Sequence, residues 1–589
     1  MIKKIVYSCL AVFFAIIIGL IAVAFIYGDV ILTRAADQRL QAVNNEHFQI
    51  TYSDIDVRLL HGVIRLKDVT VSLDTPSVQF TCQRIELGPI RRVLLRKNKE
   101  LWFRQADIIE PNVVAQIGQK ARKQEPTEQE SAKKEPVDDN RSWLTKQAAE
   151  QISKIKLIGI QEIRIKQGNT ELTHCENKMR VLAKGLNISV EKLYYDMQEN
   201  KAVYLDSPYR LHTDTLYFLS PDGLTATSTG TIDLSDSDSI YLRKVRFGHT
   251  VKKTSLADRL GKTQVTWLQV LLNEVIISPT NIVHAITDKS IDIGNVKIKG
   301  RRLSVYRDVH YPAKEPYPMP QENLQAIPIP MHIGHVECSM PRATVEMLLP
   351  IGEAGRLDMS SLRLSVNNIS NTKGATLSAN ARVKICGGSG NLSIKMRNNR
   401  DCTFEGSTTV ENLHGDGMNS FLHPAMGINL QANISKLETS FRGDMTKAEG
   451  DMCMIYDSLK VHLVKEDVPI DKLAKNAGII NAFAPLAIHS HNPRKKGAAP
   501  YTAHFSNERN VMQNFASYVA GTIADGLMQS VMSDMIYKSV KKAMAKSKPG
   551  NLTAANSTST TTKATTDDTK TNHEETTDNR KRRNHRHRR

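Results

Sequence analysis

"RLLHGVIRLKDVTVSLD", Arg58 to Asp74, reads as a strand, a turn at His61-Gly62 and a second strand. In the second strand Ile64, Leu66, Val69, Val71 and Leu73 are apolar, and most residues between them are polar or charged. Side chains of a strand point alternately to its two faces, so this ribbon has one face that leaves water. What that face touches decides the fold.

The same pattern recurs. Phe48, Ile50 and Tyr52 precede the stretch, and Val78, Phe80, Cys82, Ile85 and Leu87 follow it. From Ile155 it runs for some 300 residues, as in "LRLSV" at Leu362, "LSANARVKI" at Leu377, "LSIKM" at Leu392 and "INLQANI" at Ile428. Short alternating runs broken by Gly, Pro and Asp predict antiparallel strands, and the fold class is mainly β. A unit of the form apolar-x-apolar-Gly-x-apolar-x-apolar is present as "IDIGNVKI" at Ile291 and "MHIGHVEC" at Met331, with a blurred copy, "VRFGHTVK", at Val245. The spacing near 40 residues suggests a β repeat. Between the two clear copies lie prolines 312, 316, 318, 320, 328 and 330, which forbid central-strand pairing and predict an edge-following loop or lip.

A sheet with one apolar face needs cover. Two sheets stacked as a sandwich supply it. Covering helices are few between 155 and 465, which points instead to a long curved sheet whose apolar face forms a groove. Such a groove suits acyl chains. At about 0.8 kcal/mol per CH₂, two chains of roughly 30 carbons resist aqueous transfer by about 25 kcal/mol. In that reading the groove-facing candidates are Ile64, Leu66, Val69, Val71, Leu73, Leu377, Val383, Ile385, Leu430 and Ile434. Pattern alone leaves sandwich and groove both open.

The N-terminus places the chain at a membrane. After Lys3 and Lys4 comes "IVYSCLAVFFAIIIGLIAVAFIY", Ile5 to Tyr27, without a charge. At about 1.5 Å per residue this run reaches roughly 34 Å, enough for a hydrocarbon core of about 30 Å. The lysines before it put the short end in the cytoplasm and the bulk outside. Ala22-Val23-Ala24 offers a signal-peptide cleavage site, but the apolar run continues through Phe25-Ile26-Tyr27, and length favours an uncleaved anchor. In both readings the bulk is exported.

The 589 residues divide into a cytoplasmic stub and transmembrane helix (1–31), an N-terminal β region (32–116), a charged linker (117–142), a repeated β region (143–465), a helical region (466–546) and a Ser/Thr-rich, basic tail (547–589). The linker holds almost no apolar side chains and predicts disorder. A short helix is predicted at Trp143 to Ser153. Asp471 offers an N-cap to one helix, and Val511, Phe515, Tyr518, Val519, Ile523, Leu527 and Val531 lie at helical spacing in another, with Lys538, Lys541, Lys542 and Lys546 at its end. That apolar stripe either caps the open end of the β region or lies on a membrane, its lysines meeting anionic headgroups.

Net charge is +18, and seven of the positive charges crowd into "RKRRNHRHRR" at 580–589. The remaining excess is diffuse, and no zinc spacing, P-loop or Gly-rich nucleotide fingerprint is present, which argues against nucleic acid. The tail reads as solvated, with anionic headgroups of a membrane surface or another polyanion as the other choices. Seven cysteines, Cys9, Cys82, Cys175, Cys338, Cys386, Cys402 and Cys453, are scattered without a C-x-x-C pair and do not form a disulfide scaffold. Most read as small buried apolar residues, with Cys386–Cys402 the one conceivable bridge. His489 and His491 form H-x-H without a third ligand, His332 and His335 read as exposed strand residues, and Asp236 and Asp238 as a turn. No catalytic, metal or cofactor set stands out, so neither an enzyme nor a cofactor is expected.

Two segments carry a resemblance. "ITYSDIDVRLLHGVIRLKDVTVSL" at Ile50, with "IELGPIRRVLLRKNKELWFRQADIIEPNVV" at Ile85, resembles the N-terminal region of the AsmA-like family, related to TamB and to chorein-type bridge proteins. "FEGSTTVENLHGDGMNSFLHPAMGINLQANISKLETSFRGDMTKAEGDMCMIYDSLKVHL" at Phe404 is similar to its C-terminal module, with Gly450, Met452, Tyr456, Leu459, Val461 and Leu463 carrying the ending. "NERNVMQNFASYVAGTIADGL" at Asn507 fits the element that follows. The order of these pieces persuades more than any one of them. The resemblance implies an extended β groove, a single-pass anchor in a bacterial inner membrane with the bulk in the periplasm, and a role in moving phospholipid toward the outer membrane or in outer-membrane biogenesis. It implies no catalytic residues. The alternative is a non-transporting scaffold that assists outer-membrane protein assembly by docking envelope proteins.

Overall fold

The protein is described by a computed structural model over residues 48–58, 62–73, 78–90, 100–118, 157–196, 201–203, 208–235, 239–280, 289–349, 353–426, 428–463, 488–533 and 537–538. The predicted membrane span, the charged linker, the helices at Trp143 and after Asp471, the Asp236/Asp238 turn and the basic tail lie outside these residues. The described chain is mainly β, in one mixed sheet.

The first strands are β1 (Phe48–Thr51), β2 (Asp54–Arg58), β3 (Val63–Leu73), β4 (Val78–Ile90), β5 (Glu100–Ile109) and β6 (Asn112–Ile117). The centre holds β7 (Leu157–His174), β8 (Arg180–Asp196), β9 (Lys201–Val203), β10 (Tyr209–Thr213), β11 (Thr215–Leu219), β12 (Thr225–Thr229), β13 (Thr231–Ser235), β14 (Ile240–His249), β15 (Thr266–Thr280) and β16 (Ile291–Asp308). Then come β17 (Met331–Leu348), β18 (Ala354–Ser370), β19 (Thr376–Ile385), β20 (Gly388–Arg397), β21 (Phe404–His414), β22 (Ile428–Gly443), β23 (Lys447–Leu463) and β24 (Thr502–Glu508). Four short or medium helices interrupt them: α1 (Leu256–Arg259), α2 (Pro320–Gln325), α3 (Asn419–Met426) and α4 (Phe515–Val531).

The opening stretch forms β3, and Gly62 before it takes φ 64°, as a tight turn requires. The apolar spacing within β3 is uneven: Leu66 and Val69 are three apart. Asp68 stands at φ 46° in the left-handed region, while Lys67 and Asp68 both face water. The register does not shift here, because β4 and the β1–β2 side carry the matching extra residue, and the apolar face resumes on the same side. Counterparts of this slip run laterally through the sheet. Strands break at Ser53, Glu110, Asp214 and Gly230, where the backbone N–H of each still reaches a carbonyl across the ladder (Lys67, Lys166, Lys184 and Arg243). Gln167, Lys244 and Ser361 are bulged with positive φ, and the pairing shifts register beside Gly168, Leu272 and Ser360. One seam of irregularities thus crosses strand after strand.

Most pairings are antiparallel, as expected, but three are parallel and make two junctions. β5 and β6 pair with β7, and β16 pairs with β17. The two clear repeat copies are the partners in the second junction, with Ile291, Ile293, Val296 and Ile298 opposite Met331, Ile333, Val336 and Cys338. The repeat is therefore structural. The blurred copy at Val245 pairs antiparallel with β15 and shares no ladder with the others. A parallel pair needs a connection that returns from one end of the strand to the other. The proline-rich segment is that return, not a lip: it carries α2, hydrogen-bonds to Thr403 and Asn398, and buries Met319 completely.

α4 begins at Phe515 rather than at Val511, which is 45% exposed, because the Asn514 side chain accepts the Ser517 N–H as N-cap. Its Tyr518 and Val519 pack with Phe404, Phe441, Met452 and Phe505 in one buried cluster. The predicted stripe therefore rests on the sheet. Phe404 meets Phe515 and Tyr518 edge to face, with ring centroids 5.2 and 5.7 Å apart. The helix backbone lies close on β24: a Cβ on Gly526 would come within 2.8 Å of Phe505.

Candidate functional apolar face

The ladder register places one row of side chains across the sheet. Reading from strand to strand it is Ile55, Leu66, Ile85, Ile108, Ile165, Ile188, Leu211, Leu234, Ile240, Ile277, Val296, Val336, Val366, Ala379, Ile394, Gly406, Phe441, Gly450 and Phe505. Every one of the nineteen is apolar or glycine. At about 4.8 Å per strand the row is about 85 Å long. A second row runs on the other side of the seam through Leu172, Val181, Phe218, Thr227, Phe247, Val270, Leu303, Ala343, Met359 and Ile385. Arg307, near the end of its strand, is a buried charge that the ladder places on this face.

Exposure varies along the first row. Ile55, Leu66, Ile85 and Ile108 are buried at one end, and Ile394, Phe441 and Phe505 at the other. The ten positions between, Ile165 to Ala379, are all half-buried. The described helices pack chiefly on β17, β18 and β22 to β24, so no described helix is laid along β7 to β15. Residues beside the seam, Thr213, Thr229, Val275, Met340 and Ala343, are buried, whereas positions farther along the same strands are half-open.

The ten candidates fall into two groups. Ile64, Leu66, Val69 and Val71 are at most 3% exposed and Ile434 is 7% exposed, so they sit in packed ends of the face. Leu73, Leu377, Val383, Ile385 and Leu430 are half-buried. Of the second group Leu377, Val383 and Ile385 all lie on β19, where Leu377 faces Met396 and Ile385 faces Gly388. The half-open positions of β8 to β17 were not singled out by sequence. Their signal was the pair of polar residues, such as Arg243-Lys244, that marks each phase slip.

The opposite face is charged and largely self-paired. Arg65 bonds Glu86 at 3.0 Å, Arg164 and Lys166 converge on Asp107 at 2.7 and 2.8 Å, and Lys299 meets Glu274 at 2.6 Å. A concavity of about 940 Å³ on this side is lined by Lys395, Glu405, Arg442 and Glu449 among others. Those four form two ion pairs, at 3.2 Å for Lys395–Glu405 and 2.9 Å for Arg442–Glu449, so their charges are already matched.

The polar candidates stay apart. His332 bonds Asp292, His335 bonds Asn367, and His491 bonds Asp457, each within 3.0 Å. His489 is held below the usual imidazole range by burial, with Arg494 adding to the effect. Among the described residues no three His, Cys, Asp or Glu side chains gather as a metal site. Cys386 and Cys402 are both free thiols. They lie at opposite ends of β20, which at about 3.3 Å per residue keeps them roughly 30 Å apart. No helix among the described residues is long and apolar enough to cross a membrane. No family model matches the chain, and no curated protein matches it.

Proposed function

We propose that the apolar face is the floor of an extended groove that holds lipid acyl chains and lets them move along it. The observation that carries this reading is the uncharged nineteen-position row with its half-open middle. In a sandwich those ten positions would be packed by a second sheet. Here every described strand belongs to one sheet. The seam supports a groove rather than a flat surface: bulges bend strands, and the buried positions beside it mark the inside of that bend.

An apolar track lowers the barrier to moving a chain without any specific contact. Its length, about 85 Å, exceeds a lipid several times over, so cargo slides rather than docks. The uncharged run Ile5–Tyr27 supports an inner-membrane anchor with the bulk in the periplasm, and the AsmA-like sequence features favour phospholipid as cargo and the outer membrane as destination.

The test is lipid retention. Protein purified in mild detergent and extracted into organic solvent is expected to release phospholipid detectable by mass spectrometry. Ile277→Asp and Val336→Asp, in the half-open stretch, are expected to cut the retained lipid several-fold while the protein stays folded. A folded preparation without lipid would sink the proposal. Photo-crosslinks from these positions to protein alone would favour the docking scaffold.

A further inference from the structure

Arg307 is the last but one residue of β16 and lies on the apolar face, two and four residues beyond Val305 and Leu303. It is 7% exposed. Its partners are neutral. Nη1 donates to Ser517 Oγ and Nη2 to Gln264 Oε1, each at 2.9 Å, and the guanidinium lies 5.9 Å from the centre of the Tyr317 ring. No described carboxylate approaches within ion-pair distance. The adjacent Asp308 is turned the other way and bonds His310 at 2.9 Å.

A buried charge without a counter-charge is costly, and two neutral acceptors do not offset it. A guanidinium carries five donors in a planar fork that matches an oxyanion. Ser517 belongs to the first turn of α4, whose amide dipoles add positive potential at the same place. This charge therefore sits beside a helix N-terminus, past Leu303 of the second row and near the end of β16.

We propose that Arg307, with Ser517, forms an anionic headgroup site: it takes a phosphate-type oxyanion carried on acyl chains that lie along Leu303 and Val305. The site rests on the groove reading and deepens it, because a lipid held by its chains alone has no defined stopping point. Arg307 supplies one, where the chains meet α4.

The full-length protein in detergent is titrated with three probes: dioleoylphosphatidylglycerol, dioleoylglycerol with the same chains but no phosphate, and glycerol 1-phosphate with no chains. The expected result is that the phospholipid binds about tenfold tighter than dioleoylglycerol, with glycerol 1-phosphate unbound. Arg307→Gln is expected to erase that preference and leave dioleoylglycerol affinity unchanged, and Arg307→Lys to keep part of it. Equal affinity of the native protein for the two lipids overturns the headgroup site while leaving the groove standing. Binding of neither lipid overturns both. Glycerol 1-phosphate binding as tightly as the phospholipid makes this a site for free phosphate and overturns the lipid reading of it. Loss of both lipids together in Arg307→Gln assigns Arg307 a packing role and overturns the site. If that variant does not fold, the preference of the native protein decides, since it must shrink as salt is raised.

Discussion

Cys82 shows how a residue on the apolar face reports its surroundings. It is 4% exposed, and burial pushes its thiol up to about 12. In the unfolded chain the thiol ionises near 8.5 to 9. The folded state thus holds the proton longer, so its contribution to stability is full below about pH 9 and is lost as pH rises toward 12. The loss is about 1.4 kcal/mol per pH unit across that window. Urea melts of the native protein between pH 8 and 10.5 are expected to lose stability faster than melts of Cys82→Ala. Parallel slopes would mean that Cys82 is wetter than its burial indicates. The opening stretch was legible at this scale in part. Ile64, Leu66, Val69, Val71 and Leu73 do share a face, but the three-residue step across Lys67-Asp68 is what announces the slip in phase, and simple alternation passes over it. Arg307 was illegible: one arginine in "LSVYRDVHY" looks solvated until the register places it inward.

At the scale of elements, strands were read well and their partners were not. The copies at Ile291 and Met331 were recognised as repeats because apolar residues and glycine recur at fixed positions. That they lie side by side and parallel is a property of the return segment, and local pattern contains no word of it. The same segment shows why proline content misleads: six prolines exclude a ladder, yet Met319 between them is wholly buried. α4 was legible because its stripe has helical spacing. Its start was misplaced by a turn because Val511 continues the apolar period, whereas the N-cap of Asn514 fixes the boundary. Asn514→Ala removes the acceptor for the Ser517 N–H and is expected to cost about 1 kcal/mol, read as a lowered thermal midpoint. Asn514→Asp keeps an acceptor and adds a favourable charge at the helix N-terminus, so it is expected to hold or raise the midpoint. Equal loss in both variants would show that side-chain packing of Asn514, and not capping, sets the effect.

For the whole molecule, sandwich and groove make opposite demands on the same apolar row. A sandwich buries all of it, so a carboxylate anywhere along the row should be severe. A one-sheet molecule with covered ends and a half-open middle should respond by position. Leu66 is fully buried, and Leu66→Asp strands an unpaired charge in the packed end, a change that exceeds about 4 kcal/mol and leaves little folded protein. Val336, half-buried near the middle, can turn a carboxylate to water, so Val336→Asp is expected to cost about 1 kcal/mol or less. Glu337, its exposed neighbour on the charged face, serves as the control, with Glu337→Gln close to neutral. Circular dichroism melts of the three variants read the order directly. If Val336→Asp unfolds the protein as Leu66→Asp does, the middle of the row is closed by something packed against it, and the continuous face is a core. If it folds while losing lipid, the same side chain that contributes little to stability is needed for cargo, which is the division of labour an open acyl-chain track requires.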